Sequence, residues 1–132
     1  MPITTWLRYA WASPNSAIGL LGLPGARVAR VDGVLELQGG LASWFLLRVL
    51  PRLGFAPAGI AAMTLGHVVW GASPADLTRT RAHERVHVRQ YERWGPLFLP
   101  AYGLASAVLY LRGRDGYREN PFERAAYAEA GG

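Results

Sequence analysis

The segment Arg81-Ala82-His83-Glu84-Arg85-Val86-His87-Val88-Arg89-Gln90-Tyr91 contains His-Glu-x-x-His, the pattern that most restricts what this chain can become. A helix turns about 100° per residue, so His83 and His87 stand about one turn apart on one face. Both imidazoles can then reach a single ion, which is what a tetrahedral Zn²⁺ site asks of two of its ligands. Glu84, one residue past the first histidine, lies beside that face. From there it can act as general base toward a water in the open metal position, as in metal-assisted hydrolysis. The fold must therefore turn this helix inward on its histidine side and bring a third donor back to it.

The surrounding residues agree with such a helix. Leu77, Thr80, Tyr91 and Trp94 share the broad side of His83 and His87, while Arg81, Arg85, Arg89 and Arg93 form an i, i+4 row opposite. The competing reading is a pair of core histidines on a buried helix. A glutamate between two inward histidines at this spacing favours the metal site. The arginine row reads as the solvated face.

Composition narrows the class. With 132 residues the chain has enough length for one domain with a modest core, here taken as residues 1–132 with the metal-site half at about 60–128. Apolar residues make up 51% and charged ones 17%, too apolar for disorder and slightly rich for a freely soluble domain. Cys is absent, so any metal must use His, carboxylate and water, and redox compartment cannot be read. The net charge is +5 and every basic residue is Arg, which reads as a coding bias, of the kind a GC-rich bacterial genome imposes. Basic residues are spread along the chain outside the helix row, so nucleic acid is not expected as a partner. The longest apolar run, residues 96–111, is 16 residues with Pro100 inside it, so it reads as a buried core helix and not as a transmembrane span. Arg8 precedes apolar residues, but Pro14 and Asn15 interrupt them and no cleavage site follows, so a signal peptide is not expected. A cytoplasmic or membrane-associated location fits, and peripheral membrane contact stays open.

Along the chain, Ser13-Pro14-Asn15 suits a turn or helix start, with a short helix over 15–23. Asp32-Gly33 between β-prone arms suits a type I′ hairpin over 26–38. Residues 41–53 favour a helix by length, ended by Pro51, and 54–59 form a Gly/Pro loop. Residues 60–70 read as one strand between Gly59 and Gly71. Ser73-Pro74-Ala75-Asp76 is a fitting entry to the metal helix, which stops at Gly95-Pro96. An apolar helix over about 97–111, a charged turn at 113–116 and a last helix opened by Asn120-Pro121-Phe122-Glu123 follow. The expected fold is α+β: a small, mostly antiparallel sheet packed against the metal helix and its apolar neighbour.

Glu123 is the preferred third ligand, since it lies on a separate helix after an apolar one long enough to bring the chain back. It could instead serve a capping box with Asn120 as cap. Glu119, Asp115 and His67 are the rival donors. His67 could also contact substrate or be a plain strand residue. Tyr127, four residues after Glu123, could stabilise a developing oxyanion. Tyr117 and Tyr91 are alternatives.

The order Thr64-Leu65-Gly66-His67-Val68-Val69, then His83-Glu84-x-x-His87-x-x-Gln90, then Asn120-Pro121-Phe122-Glu123 resembles the gluzincin-type zincin metallopeptidases, and more narrowly short bacterial proteins with the same three blocks. The resemblance covers about residues 60–128. It implies His83, His87 and Glu123 as zinc ligands and Glu84 as general base. It also implies a strand before the metal helix that forms the sheet's edge and can pair with an extended peptide. Gln90 matches the block without an assigned role. The expected activity is therefore a zinc-dependent hydrolase, foremost a metallopeptidase acting on peptide or protein. The alternative is a non-catalytic, metal-stabilised domain for partner or membrane-surface binding.

Overall fold

The computed structural model describes residues 3–52 and 60–130. Helix α1 (Ile3–Gly19) is followed by a 3₁₀ turn (Leu20–Gly22) and by the hairpin β1 (Arg27–Val31) and β2 (Val34–Gln38). A helical segment comes next: α2 (Gly40–Trp44), a π turn (Phe45–Val49) and α3 (Leu50–Arg52). Then come β3 (Ala62–Leu65), β4 (Val68–Gly71), α4 (Pro74–Trp94), a 3₁₀ turn (Gly95–Leu97), α5 (Phe98–Leu111) and α6 (Pro121–Ala130). The α+β class expected from the sequence holds. The four strands run β1-β2-β4-β3, with two antiparallel pairings and a parallel one between β2 and β4.

Side chains alternate across the sheet with period two. Leu37, Leu65, Val68 and Trp70 join Ala42 and Leu46 in a core on the α2 side. Val34 and Val69 join Leu77 and Val88 in a core on the α4 side. Glu36, Val69 and Thr64 occupy paired positions across three strands on that second face. This row is what α4 crosses, and it positions the helix. Arg81 donates to Glu36 through Nε at 2.9 Å and Nη2 at 2.8 Å. Arg85 donates from Nη2 to Glu36 at 3.1 Å and to the Val31 carbonyl at 3.0 Å. The Arg81 guanidinium holds the buried Glu36 carboxyl below its ordinary range. The arginine row is thus not simply a solvated face: its first two members fasten α4 to β2.

The hairpin turn is of the expected kind, with Asp32 at φ 51° and Gly33 at φ 78°. The expected strand over 60–70 is instead two strands. Gly66, at φ 64°, turns the chain within it, and a Cβ there would meet the Ser16 backbone nitrogen at 2.5 Å. The strand directly before the metal helix, β4, is therefore internal, and the edge is β3. Pro14 sits inside α1 and does not start a helix. It cannot donate to the Ala10 carbonyl, and Ser13 Oγ donates to that carbonyl at 2.7 Å instead. Pro51 lies within α3. The Gly/Pro loop expected over 54–59 lies outside the described residues. Ser73 caps α4 by accepting from the Asp76 N–H at 3.1 Å, with Pro74 in the first turn. The apolar helix α5 is present, but it is not a buried core helix: Phe98 is its one buried residue, and Leu104 and Leu111 are 68% and 88% exposed. Its inner stripe carries Tyr102 and Ser106 toward the start of α6.

Candidate metal centre

Three donor atoms from two helices converge. His83 Nε2 and His87 Nε2 come from consecutive turns of α4 and stand 3.2 Å apart. Glu123 Oε1, from the first turn of α6, lies 2.9 Å from the first and 3.0 Å from the second. The Asn120 N–H that a capping-box Glu123 would serve donates instead to the Tyr117 carbonyl at 3.2 Å. Asn120 Oδ1 caps α6 by accepting from the Phe122 N–H at 2.9 Å, and the Glu123 carboxylate faces α4. Asn120 Nδ2 donates to the Tyr102 carbonyl and to Ser106 Oγ, tying α6 to α5.

Gln90 has a role that sequence reasoning left blank. Its Nε2 donates to the Phe122 carbonyl at 3.0 Å, which fixes the amide orientation because a carbonyl can only accept. Gln90 Oε1 then faces His87 Nδ1 at 2.8 Å and must receive its N–H. In the neutral ring that leaves Nε2 as a bare lone pair, aimed at Glu123 Oε1 and His83 Nε2. Lone pairs this close need a cation among them, either a proton or a metal. Zinc–nitrogen bonds of about 2.0–2.1 Å in a tetrahedron put ligand atoms roughly 3.3 Å apart. The three observed separations come close to that size, so the donor set fits a divalent metal.

The electrostatics are those of a buried charged cluster. Burial would raise the Glu123 carboxyl, yet hydrogen bonds from His83, His87 and Tyr102 hold it down to about 2. Burial would lower the His87 imidazole, but Glu123 more than reverses this. Tyr102 Oη donates to Glu123 Oε2 at 2.6 Å, the oxygen that faces away from the histidines. Glu84 is also buried, and its carboxylate lies in one cluster with the two imidazoles, their ligand atoms within 4.8 Å of one another. Burial raises the Glu84 carboxyl above its ordinary value. Thr64 Oγ1, from the edge strand, stands 3.4 Å from Glu84 Oε2.

Tyr127 packs its ring against His83 with centroids 4.4 Å apart, and its hydroxyl lies 3.4 Å from that of Tyr117. Both tyrosines are exposed. Tyr91 is elsewhere: it is buried, and its hydroxyl donates to the Thr64 carbonyl at 2.8 Å. His67 does not join the cluster. It lies in the β3–β4 turn, its Nε2 2.8 Å from Glu92 and its ring 4.2 Å from Tyr9. Glu119 accepts from the Asp115 N–H, and Asp115 caps Tyr117 and Arg118, so neither rival carboxylate points at the histidines. The signal for Gln90 was available in its i+3 spacing from His87, which puts both on one helix face. Tyr102 had no local signal, since only the approach of α5 to α6 brings it to Glu123. Comparison with protein-family models, curated proteins and solved structures finds no match to this chain.

Proposed function

We propose that this protein is a metal-dependent hydrolase, with zinc as the metal and a peptide bond as the leading substrate. The observation that carries this reading is the convergence of His83 Nε2, His87 Nε2 and Glu123 Oε1 within 3.2 Å, with the His87 tautomer set by Gln90. The resemblance of the three sequence blocks to gluzincin-type metallopeptidases points the same way. When bound, the ion would polarise the scissile carbonyl and acidify a water.

The chain's own residues divide the remaining work. His83, His87 and Glu123 hold the ion, while Gln90 and Tyr102 orient two of those three ligands. Glu84 takes the proton from the attacking water and returns it to the leaving amine. A carboxyl raised by burial suits both halves of that transfer, because its proton affinity lies nearer that of the groups it serves. The Tyr127 hydroxyl, on a ring that packs against His83, donates a hydrogen bond to the negative charge that develops on the carbonyl oxygen.

A second reading is a closed, structural metal in a domain that binds a partner or a membrane surface. One observation favours it: the Tyr91 hydroxyl occupies the Thr64 carbonyl on the edge strand, where a peptide would pair in the resemblance. Metal content and turnover separate the two. Elemental analysis of protein purified without chelator should find about one zinc per chain, lost in His83→Ala and in Glu123→Ala. Glu84→Gln should keep the metal and abolish cleavage of a peptide library that the wild type cleaves. A wild type that holds zinc but cleaves nothing, with Glu84→Gln losing that zinc, would refute the hydrolase and make Glu84 a fourth ligand.

A further inference from the structure

Two helices are built with their apolar sides outward. Helix α1 turns Tyr9, Asn15 and Ser16 inward: Tyr9 donates to the Gly33 carbonyl, Asn15 to the Gly95 carbonyl, and Ser16 Oγ accepts from the His67 N–H. Ile3, Trp6, Leu7 and Ile18 face out, with Ile3 at 74% and Trp6 at 61% exposure, as does Leu21 of the 3₁₀ turn that follows. Helix α5 does the same. Tyr102 and Ser106 bond inward to Glu123 and Gly116, while the outward stripe is Pro100, Gly103, Leu104, Ala107, Val108 and Leu111. The two helices meet at the Gly95–Leu97 turn, where the half-exposed Trp11 indole of α1 lies over Gly95 and Leu97 stands exposed.

We propose that this α1–α5 face seats the protein on an anionic lipid bilayer. Three observations select that occupant. First, the exposed residues of α5 from Pro100 to Val108 carry no side-chain hydrogen-bonding group, whereas protein interfaces carry about one hydrogen bond per 100–200 Å². Second, the charge-free run from Gly95 to Leu111 is bracketed by Arg93 and Trp94 at one end and by Tyr110, Arg112 and Arg114 at the other. Arginine and interfacial aromatics at both ends of an apolar run are how side chains meet the headgroup layers. Third, Arg8, Arg93 and Arg112 make no ion pair among the described residues, so they are free for anionic headgroups. By length and composition alone, the helical span Pro74–Leu111 contains an 18-residue window apolar enough to cross a membrane, with mean hydropathy 1.3. The inner stripe of α5 is nonetheless bonded to α6, so lipid meets one face of α5 and does not surround it. The chain lies on the membrane.

The test is flotation of the full chain with two kinds of vesicle, phosphatidylcholine alone and phosphatidylcholine mixed with phosphatidylglycerol. The wild type should float with the mixed vesicles, with a blue shift of its tryptophan emission. Leu104→Asn together with Leu111→Asn should reduce vesicle partitioning at least about tenfold. Both residues are exposed, so circular dichroism should show an unchanged fold. Two results would overturn the proposal. One is a wild type that stays in the aqueous fraction, whether as a monomer or as an oligomer that the asparagines dissociate. The other is flotation that the asparagines leave intact, which would mean that arginine charge alone holds the protein.

Discussion

Replacing Gln90 by Met tests whether the His87 tautomer governs metal binding. Methionine keeps the length and flexibility of the side chain and removes both of its polar ends. In the metal-loaded protein His87 must carry its proton on Nδ1, and that N–H would lose its acceptor at 2.8 Å in a ring only 6% exposed. A buried donor left unsatisfied costs about 1–3 kcal/mol. The metal-free protein escapes most of that cost. Its imidazole can move the proton to Nε2 and donate to Glu123 Oε1, which already stands 3.0 Å away. The penalty therefore falls on the loaded state and weakens zinc affinity by about 10- to 100-fold, in line with the general effect of removing a ligand's hydrogen-bond partner. Metal-free stability should fall by only about 1 kcal/mol, for the lost bond from Gln90 to the Phe122 carbonyl. Competition titration of metal-stripped protein against a zinc-chelating dye reads the affinity, and thermal melting reads the stability. A Gln90→Met protein whose zinc affinity stays within roughly threefold of wild type would refute the tautomer argument.

Other residues give further outcomes. Tyr102→Phe removes the 2.6 Å hydrogen bond to Glu123 Oε2 and should weaken zinc binding by about tenfold, the size of a bond to a charged acceptor; unchanged affinity in the same titration would show that Glu123 holds its place unaided. Glu36→Gln should destabilise by about 3 kcal/mol, the low end for a broken buried pair because Arg81 keeps water contact, as urea unfolding would measure. The Glu36 carboxyl is held below its ordinary 4.5 in the folded protein. Its contribution is therefore complete above pH 4.5 and lost as pH falls through the lower folded value, so wild type and Glu36→Gln should converge in stability below that window. A stability gap between them that persists at strongly acid pH would sink the assignment. Gly66→Ala places a methyl against the backbone of Ser16 from a left-handed turn, and should cost more than about 3 kcal/mol; a melting temperature within a few degrees of wild type would contradict that packing.

How much of the fold could be read in advance depended on whether one face of an element met water. The Asp32-Gly33 hairpin and the Ser73-Pro74 helix start were legible because their turn and cap chemistry is local. Residues 60–70 read as one strand because the sheet is covered on both faces by α2 and α4, and burial on both faces erases the alternation that marks strand limits. Gly66 was the remaining signal of the turn. For α5 the error ran the other way. Its apolar composition suggests burial, but buried residues being apolar does not make apolar residues buried. The polar inner stripe of α1, with Tyr9, Asn15 and Ser16 at helical spacing, was the sequence's sign that its apolar side faces out.

The candidate centre was legible where it lies along one helix and obscure where it lies across helices. His83, Glu84 and His87 follow from helical periodicity alone. Glu123 is named because a metal with two histidines needs another donor and because the resemblance implies it, although its spacing also fits a cap. The tertiary structure turns Glu123 toward the histidines and gives the Asn120 N–H to the Tyr117 carbonyl, while Asn120 caps α6 and its side chain donates to Tyr102 and Ser106 of α5. Tyr102 then uses its hydroxyl on Glu123. One apolar helix thus sets both the position of α6 and the direction of its carboxylate, from the stripe opposite its exposed leucines. Sequence reasoning could not see this, because it treated α5 as a spacer that returns the chain, whereas the structure makes it the support of the third donor.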